Sequence, residues 1–121
     1  MATSLKNDPV PDLDEFRLRR FVERMIDEGE VEVVEEKIEL ADVAARMDGN
    51  EKAVLFRQAG SESAELIGSM TGGRRRMAKA FGVAPGDLLA EVNRRLATPQ
   101  EVIELDSAEA PVHEVILTGD D

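Results

Sequence analysis

The chain has 121 residues, enough for one domain with a real core. Aliphatic side chains and Met must fill that core, because there are four Phe and no Trp or Tyr. The absence of cysteine excludes a disulfide framework, a thiol nucleophile and a thiolate metal site, and no run approaches the ~20 apolar residues of a membrane span. A net charge of −11 argues against duplex nucleic acid as a partner, since phosphate binding needs a net basic footprint.

Met1 to Pro11 is polar and holds two prolines, which predicts a flexible N-terminal segment over 1–11. It has no apolar h-region, so it is not a secretory signal, and a cytoplasmic protein is the default expectation. Asp12-Leu13-Asp14-Glu15 predicts a helix opened by a capping box, with the Asp12 carboxylate accepting from the amide of Glu15. Leu13, Phe16, Val22, Met25 and Ile26 approximate its apolar face, and Gly29 stops it. Val31 to Glu35 reads as a strand and Glu39 to Met47 as a short helix. Ala53 to Phe56 is a brief apolar run, more strand than helix, and Ala64 to Met70 a further strand after the turn Ala59-Gly60-Ser61. Thr71-Gly72-Gly73 precedes a helix to about Phe81, closed by Gly82. Pro85-Gly86-Asp87 starts another, with Leu88, Leu89, Val92 and Leu96 on one face, ended by Pro99. Val102–Leu105 and Val112–Leu117 read as two last strands. The order α-β-α-β-β-α-α-β-β predicts an α/β (α+β) domain with about four helices packed on a small mixed sheet.

Charge is unevenly spread. Residues 98–121 hold seven acidic side chains and no Lys or Arg, whereas residues 70–97 hold six basic side chains against Asp87 and Glu91. Arg74-Arg75-Arg76 after two glycines could form an anion site from helix-start amides and guanidiniums. The Lys-Ser/Thr ending of a P-loop is missing, and a solvated, ion-paired or partner-facing Arg face is the preferred reading. His113, the single histidine, has no companions at motif spacing and reads as a strand-face residue. The Glu-rich run from Glu28 to Glu39 alternates with Val31 and Val33, the pattern of a strand with one wet face rather than a cation or acid–base site. No nucleophile–base set is evident, so an independent small enzyme is the weakest reading.

Several motifs in order resemble one family. They are Asp12-Leu13-x-x-Phe16, Gly29-Glu30-Val31, Ala53-Val54-Leu55-Phe56, Gly68-Ser69-Met70-x-Gly72-x-Arg74-x-x-x-Ala78-x-Ala80-x-Gly82-Val83, and Ala110-Pro111-Val112-His113-Glu114-Val115-Ile116-Leu117-Thr118-Gly119-Asp120. Over about residues 12–121 the chain resembles the N-terminal domain of the UbiD family of prenylated-flavin-dependent decarboxylases, which includes 4-hydroxy-3-polyprenylbenzoate decarboxylase. The resemblance implies that prenylated FMN, Mn²⁺, K⁺ and the catalytic Arg and Glu residues belong to a later domain, so that no catalytic, cofactor or metal position carries over onto this chain. The Gly72-Gly73 pair and the acidic stretch Thr98 to Glu109 depart from the family's usual Gly-Ser and less acidic linker.

The resulting expectation is a non-catalytic small subunit of a split UbiD-type decarboxylase, forming a hetero-oligomer with a UbiD-like large catalytic subunit that acts reversibly on aromatic or α,β-unsaturated carboxylic acids. It divides the chain into the segment 1–11, a UbiD N-terminal-like domain over 12–97, and an acidic linker with an interface strand over 98–121. A strand at the end of a chain needs a partner, and the alternation of Val112–Leu117 places apolar residues on both faces. The expected partner interface is Arg74, Arg75, Pro111, Val112, Glu114, Val115, Ile116 and Leu117. The alternative is a free-standing module that binds an anion or an acidic partner through the Gly-Gly-Arg-Arg-Arg helix start.

Overall fold

The computed structural model describes residues 12–119; the expected flexible segment 1–11 lies outside the described residues. Three strands form one sheet in the order β1-β2-β3, with β1 spanning Val31–Ile38, β2 Ala53–Ala59 and β3 Ala64–Gly68. β1 and β2 run parallel, with Val31 opposite Ala53 and Val34 opposite Phe56, while β3 returns antiparallel to β2, with Leu55 opposite Ile67. The central strand reads as a continuous apolar run, and alternate residues leave on opposite faces. Ala53 and Leu55 join Val22, Met25 and Val31 in one core cluster; Val54 and Phe56 join Val34 and Ala59 in the other. Helix α1, Leu18–Asp27, supplies Val22 and Met25 to the first cluster, and helix α2, Val43–Met47, lays Val43 and Met47 against the second.

Phe56, Met25 and Val54 are the largest fully buried side chains. Burying each contributes roughly 1.5–3 kcal/mol, so the two-faced strand β2 is the energetic centre of the fold. The parallel β1–β2 pair requires a crossover, which a 3₁₀ turn at Leu40–Asp42 and α2 provide in place of the single helix expected over 39–47. Two further helices follow, α3 at Arg74–Phe81 and α4 at Leu88–Ala97, joined by a 3₁₀ turn at Pro85–Asp87. Gly82 closes α3 in the left-handed conformation, φ 72°, and lets the Val83 amide reach back to the Ala78 carbonyl at 3.0 Å.

The α+β class and the order α-β-α-β-β-α-α follow the sequence reading, but two local expectations are corrected. The Asp12 carboxylate accepts from the amide of Asp14 at 3.0 Å rather than from that of Glu15. Residues 13–16 thus form turns, and α1 begins later, at Leu18, after Arg17. The two last strands are not formed: residues 102–105 have no regular structure, and Pro111–His113 is a 3₁₀ turn. A strand needs a neighbour for its backbone groups, and Pro111 has no N–H to offer one. The amides of His113 and Glu114 close local turns instead, onto Ala110 and Pro111 at 3.0 and 3.2 Å.

Candidate functional site

The three consecutive arginines of α3 go to three different places. Arg76 is 2% exposed, the one buried charged side chain among the described residues. Its guanidinium donates to the carbonyls of Ser69 and Glu51, both at 3.0 Å, to that of Met70 at 3.4 Å, and to Glu30 Oε2 at 3.4 Å. Those acceptors lie where β1 and β2 begin and β3 has just ended, so one side chain ties α3 to a single end of the sheet. The planar fork of Arg suits several fixed acceptors at once. Gly73 makes room for it: a Cβ there would lie 2.8 Å from the Arg76 guanidinium carbon.

Arg75 is exposed and pairs with the other oxygen of Glu30 at 3.0 Å. Arg74, also exposed, donates to the Pro85 carbonyl at 3.0 Å and so fixes the α3–α4 connection. Arg76 is occupied by protein acceptors on every side, which removes the strongest cation from the anion-site reading of this helix start.

The Glu-rich run is more than a solvated face. Glu28 pairs with Lys79 at 3.1 Å, Glu30 with Arg75 and Arg76, and Glu32 with Arg46 and Asn50. Each pair joins β1, or the turn before it, to another element. The carboxylates perturbed by their surroundings are all pushed down. Arg46 and then Asn50 lower Glu32, Arg57 and then Arg19 lower Glu65, and Arg94 with Arg95 lower Glu91 to about 2. A general acid working near neutral pH needs the opposite shift.

His113 lies beside Ser107, a partner that the sequence reading missed. Its Nδ1 is 2.7 Å from the Ser107 carbonyl oxygen and 3.1 Å from Ser107 Oγ. A nitrogen donating to that carbonyl carries the proton, so it cannot act as base toward the hydroxyl at the same time. The pair pins a turn. Among the described residues no group of three or more His, Cys, Asp or Glu could hold a metal ion, and no helix is long and apolar enough to cross a membrane.

Among the described residues, no hydrogen bond or ion pair joins Arg74 or Arg75 to residues 111–117. Pro111 and Glu114 are exposed, and so are Val112, Val115, Ile116 and Leu117, each more than 70%. Two grooves are more enclosed. One, of about 390 Å³, runs between α1 and the β2–β3 face over Val22, Ile26, Leu55 and Ile67, rimmed by the Arg19–Glu65–Arg57 ion pairs. The other, of about 520 Å³, lies between α1 with its leading turn and the α3–α4 pair.

The family model of the 3-octaprenyl-4-hydroxybenzoate carboxy-lyase N-terminal domain, UbiD_N, matches residues 22–96. That span takes in the whole sheet, the Arg76 anchor and both glycines before α3. No curated protein matches the chain.

Proposed function

The chain belongs to the UbiD N-terminal domain family, and on that premise we propose that it is a non-catalytic small subunit of a split UbiD-type decarboxylase. A UbiD-like large subunit would hold prenylated FMN with Mn²⁺ and K⁺ and would decarboxylate aromatic or α,β-unsaturated acids reversibly, in the cytoplasm. The bound flavin would supply stabilisation of the charge left when CO₂ departs, as cofactors generally carry the hard step. This chain would supply a folded surface. The observation that carries the reading is the match to a carboxy-lyase N-terminal domain over 22–96. The exposed apolar side chains of Val112, Val115, Ile116 and Leu117 support docking through the C-terminal segment, because contiguous exposed apolar surface marks interaction sites. Arg74 and Arg75, exposed on α3, are the proposed polar contacts.

Co-expression of the chain with a UbiD-like catalytic protein from the same genome tests this. A stable hetero-oligomer is expected, lost on deletion of 111–121 and weakened by Arg74→Glu at unchanged turnover per intact complex. Full-stoichiometry capture by the truncated chain would move the docking surface elsewhere. Stoichiometric prenylated FMN on this chain alone would end the non-catalytic reading.

A further inference from the structure

We propose that the groove between α1 and the α3–α4 pair receives the acidic apolar segment Glu101–Asp106 of a second copy, reciprocally, so that the chain forms a two-fold dimer. Three of the four Phe in the chain, Phe16, Phe21 and Phe81, line this groove; the fourth, Phe56, is in the core. Phe16 is 71% exposed. Three cations share the groove walls: Arg24 lies 5.6 Å from the Phe21 ring centroid, Arg95 lies 4.7 Å from that of Phe81, and Lys79 stands beside them. Aromatic side chains with arginines on their faces are the composition of binding hot spots.

The complement is on the same molecule. Glu101-Val102-Ile103-Glu104-Leu105-Asp106 carries three acids, no cation, and three exposed apolar side chains, with Val102 at 88% and Ile103 at 79%. When extended, it puts Ile103 and Leu105 on one face with Glu101 at its start, and Glu104 and Asp106 on the other with Val102. The apolar pair suits the Phe floor and the acids suit the cation rim. Two of the cations' present partners, Glu15 at 3.8 Å from Arg24 and Glu28 at 3.1 Å from Lys79, make surface pairs, while Glu91, 15% exposed, holds Arg95 at 2.8 Å. The two surface pairs contribute little and are readily exchanged. The basic stretch 70–97 is the natural target for an acidic segment on a chain of net charge −11.

A second copy is favoured over the segment's own groove by the way the chain leaves α4. The Thr98 amide bonds to the Arg95 carbonyl at 3.2 Å and the Thr98 hydroxyl to that of Arg94 at 3.0 Å. With the exit so fixed, none of residues 101–106 lines the groove, and only Thr98-Pro99-Gln100 would be left to reverse the chain. Two copies meet no such restriction, and one groove plus one segment per copy gives the self-complementary contact that two-fold symmetry requires.

Sedimentation velocity on the full chain over a concentration series tests the proposal, with far-UV circular dichroism confirming that each variant is folded. A monomer–dimer equilibrium is expected. Ile103→Asp and Lys79→Glu should each raise its dissociation constant roughly tenfold or more. Combining Lys79→Glu with Glu104→Lys in one chain should restore part of the loss. A chain that stays monomeric at all concentrations overturns the proposal, as does a dimer indifferent to both substitutions.

Discussion

Replacing Arg76 by Ala removes the side chain that holds α3 against one end of the sheet. The guanidinium is 2% exposed and serves three carbonyls and the Glu30 carboxylate, itself only 14% exposed. Breaking a buried ion pair from one side costs about 3–5 kcal/mol, and each buried acceptor left without a donor about 1–3. Two features hold the sum near the low end. Glu30 keeps Arg75 at 3.0 Å, and water can enter the vacated space and serve the carbonyls. A loss of about 3 kcal/mol is a large share of a small domain's total stability. It corresponds to a fall in Tm of about 12–24 °C at 4–8 °C per kcal/mol for a domain of 60–100 residues. Arg76→Lys keeps the charge without the fork and should cost about half as much. Thermal unfolding followed by far-UV circular dichroism, with urea titration beside it, reads both variants. A fall of under about 4 °C for Arg76→Ala, with an unchanged denaturant slope, would show that Arg76 is not the anchor described here.

Gly73→Ala should destabilise through the same contact, by about 1–3 kcal/mol, since its Cβ would lie 2.8 Å from the Arg76 guanidinium carbon; combined with Arg76→Ala the penalty should largely vanish, which a double-mutant cycle measures. Acid should loosen α4 within a defined window. The Glu91 carboxylate is held at about 2 by Arg94 and Arg95 against an ordinary 4.5, so its support is complete above pH 4.5 and is lost as pH falls toward 2. Glu91→Gln should flatten that part of the helical-signal titration, and high salt should shrink the difference.

The strand β2 was legible because Ala53–Phe56 is apolar at every position, which only an element covered on both faces shows. Its last residues were not, because Arg57 and Gln58 interrupt the run. In the fold Arg57 bonds to Glu65 at 2.7 Å and Gln58 to the Glu35 carbonyl at 3.0 Å, so these polar side chains belong to pairings across the sheet. The ion pairs of the Glu-rich run are not legible for the same reason: their partners Arg46, Arg75, Arg76 and Lys79 are distant in sequence, and local alternation carries no trace of them. Three adjacent arginines likewise do not declare which one turns inward. The available signal was spacing, since a residue without a side chain three positions before Arg76 is what a folded-back guanidinium needs.

The tail shows the converse. Its alternation was read correctly as a pattern and wrongly as a formed element, because a strand is a property of two backbones. Every buried apolar residue described lies between Val22 and Leu88, inside the matched span of 22–96. Among the described residues, ten of the fifteen exposed large apolar side chains lie outside that span, at Leu13, Phe16 and Leu18 and from Val102 to Leu117. The folding core and the apolar surface available for association are therefore carried by different stretches of the chain. Substitutions at Arg76 or Gly73 should lower Tm, whereas those at Ile103 or Ile116 should change association and leave the Tm of the dilute, unassociated chain unchanged. That division lets the exposed surface change without touching the residues that keep the domain folded.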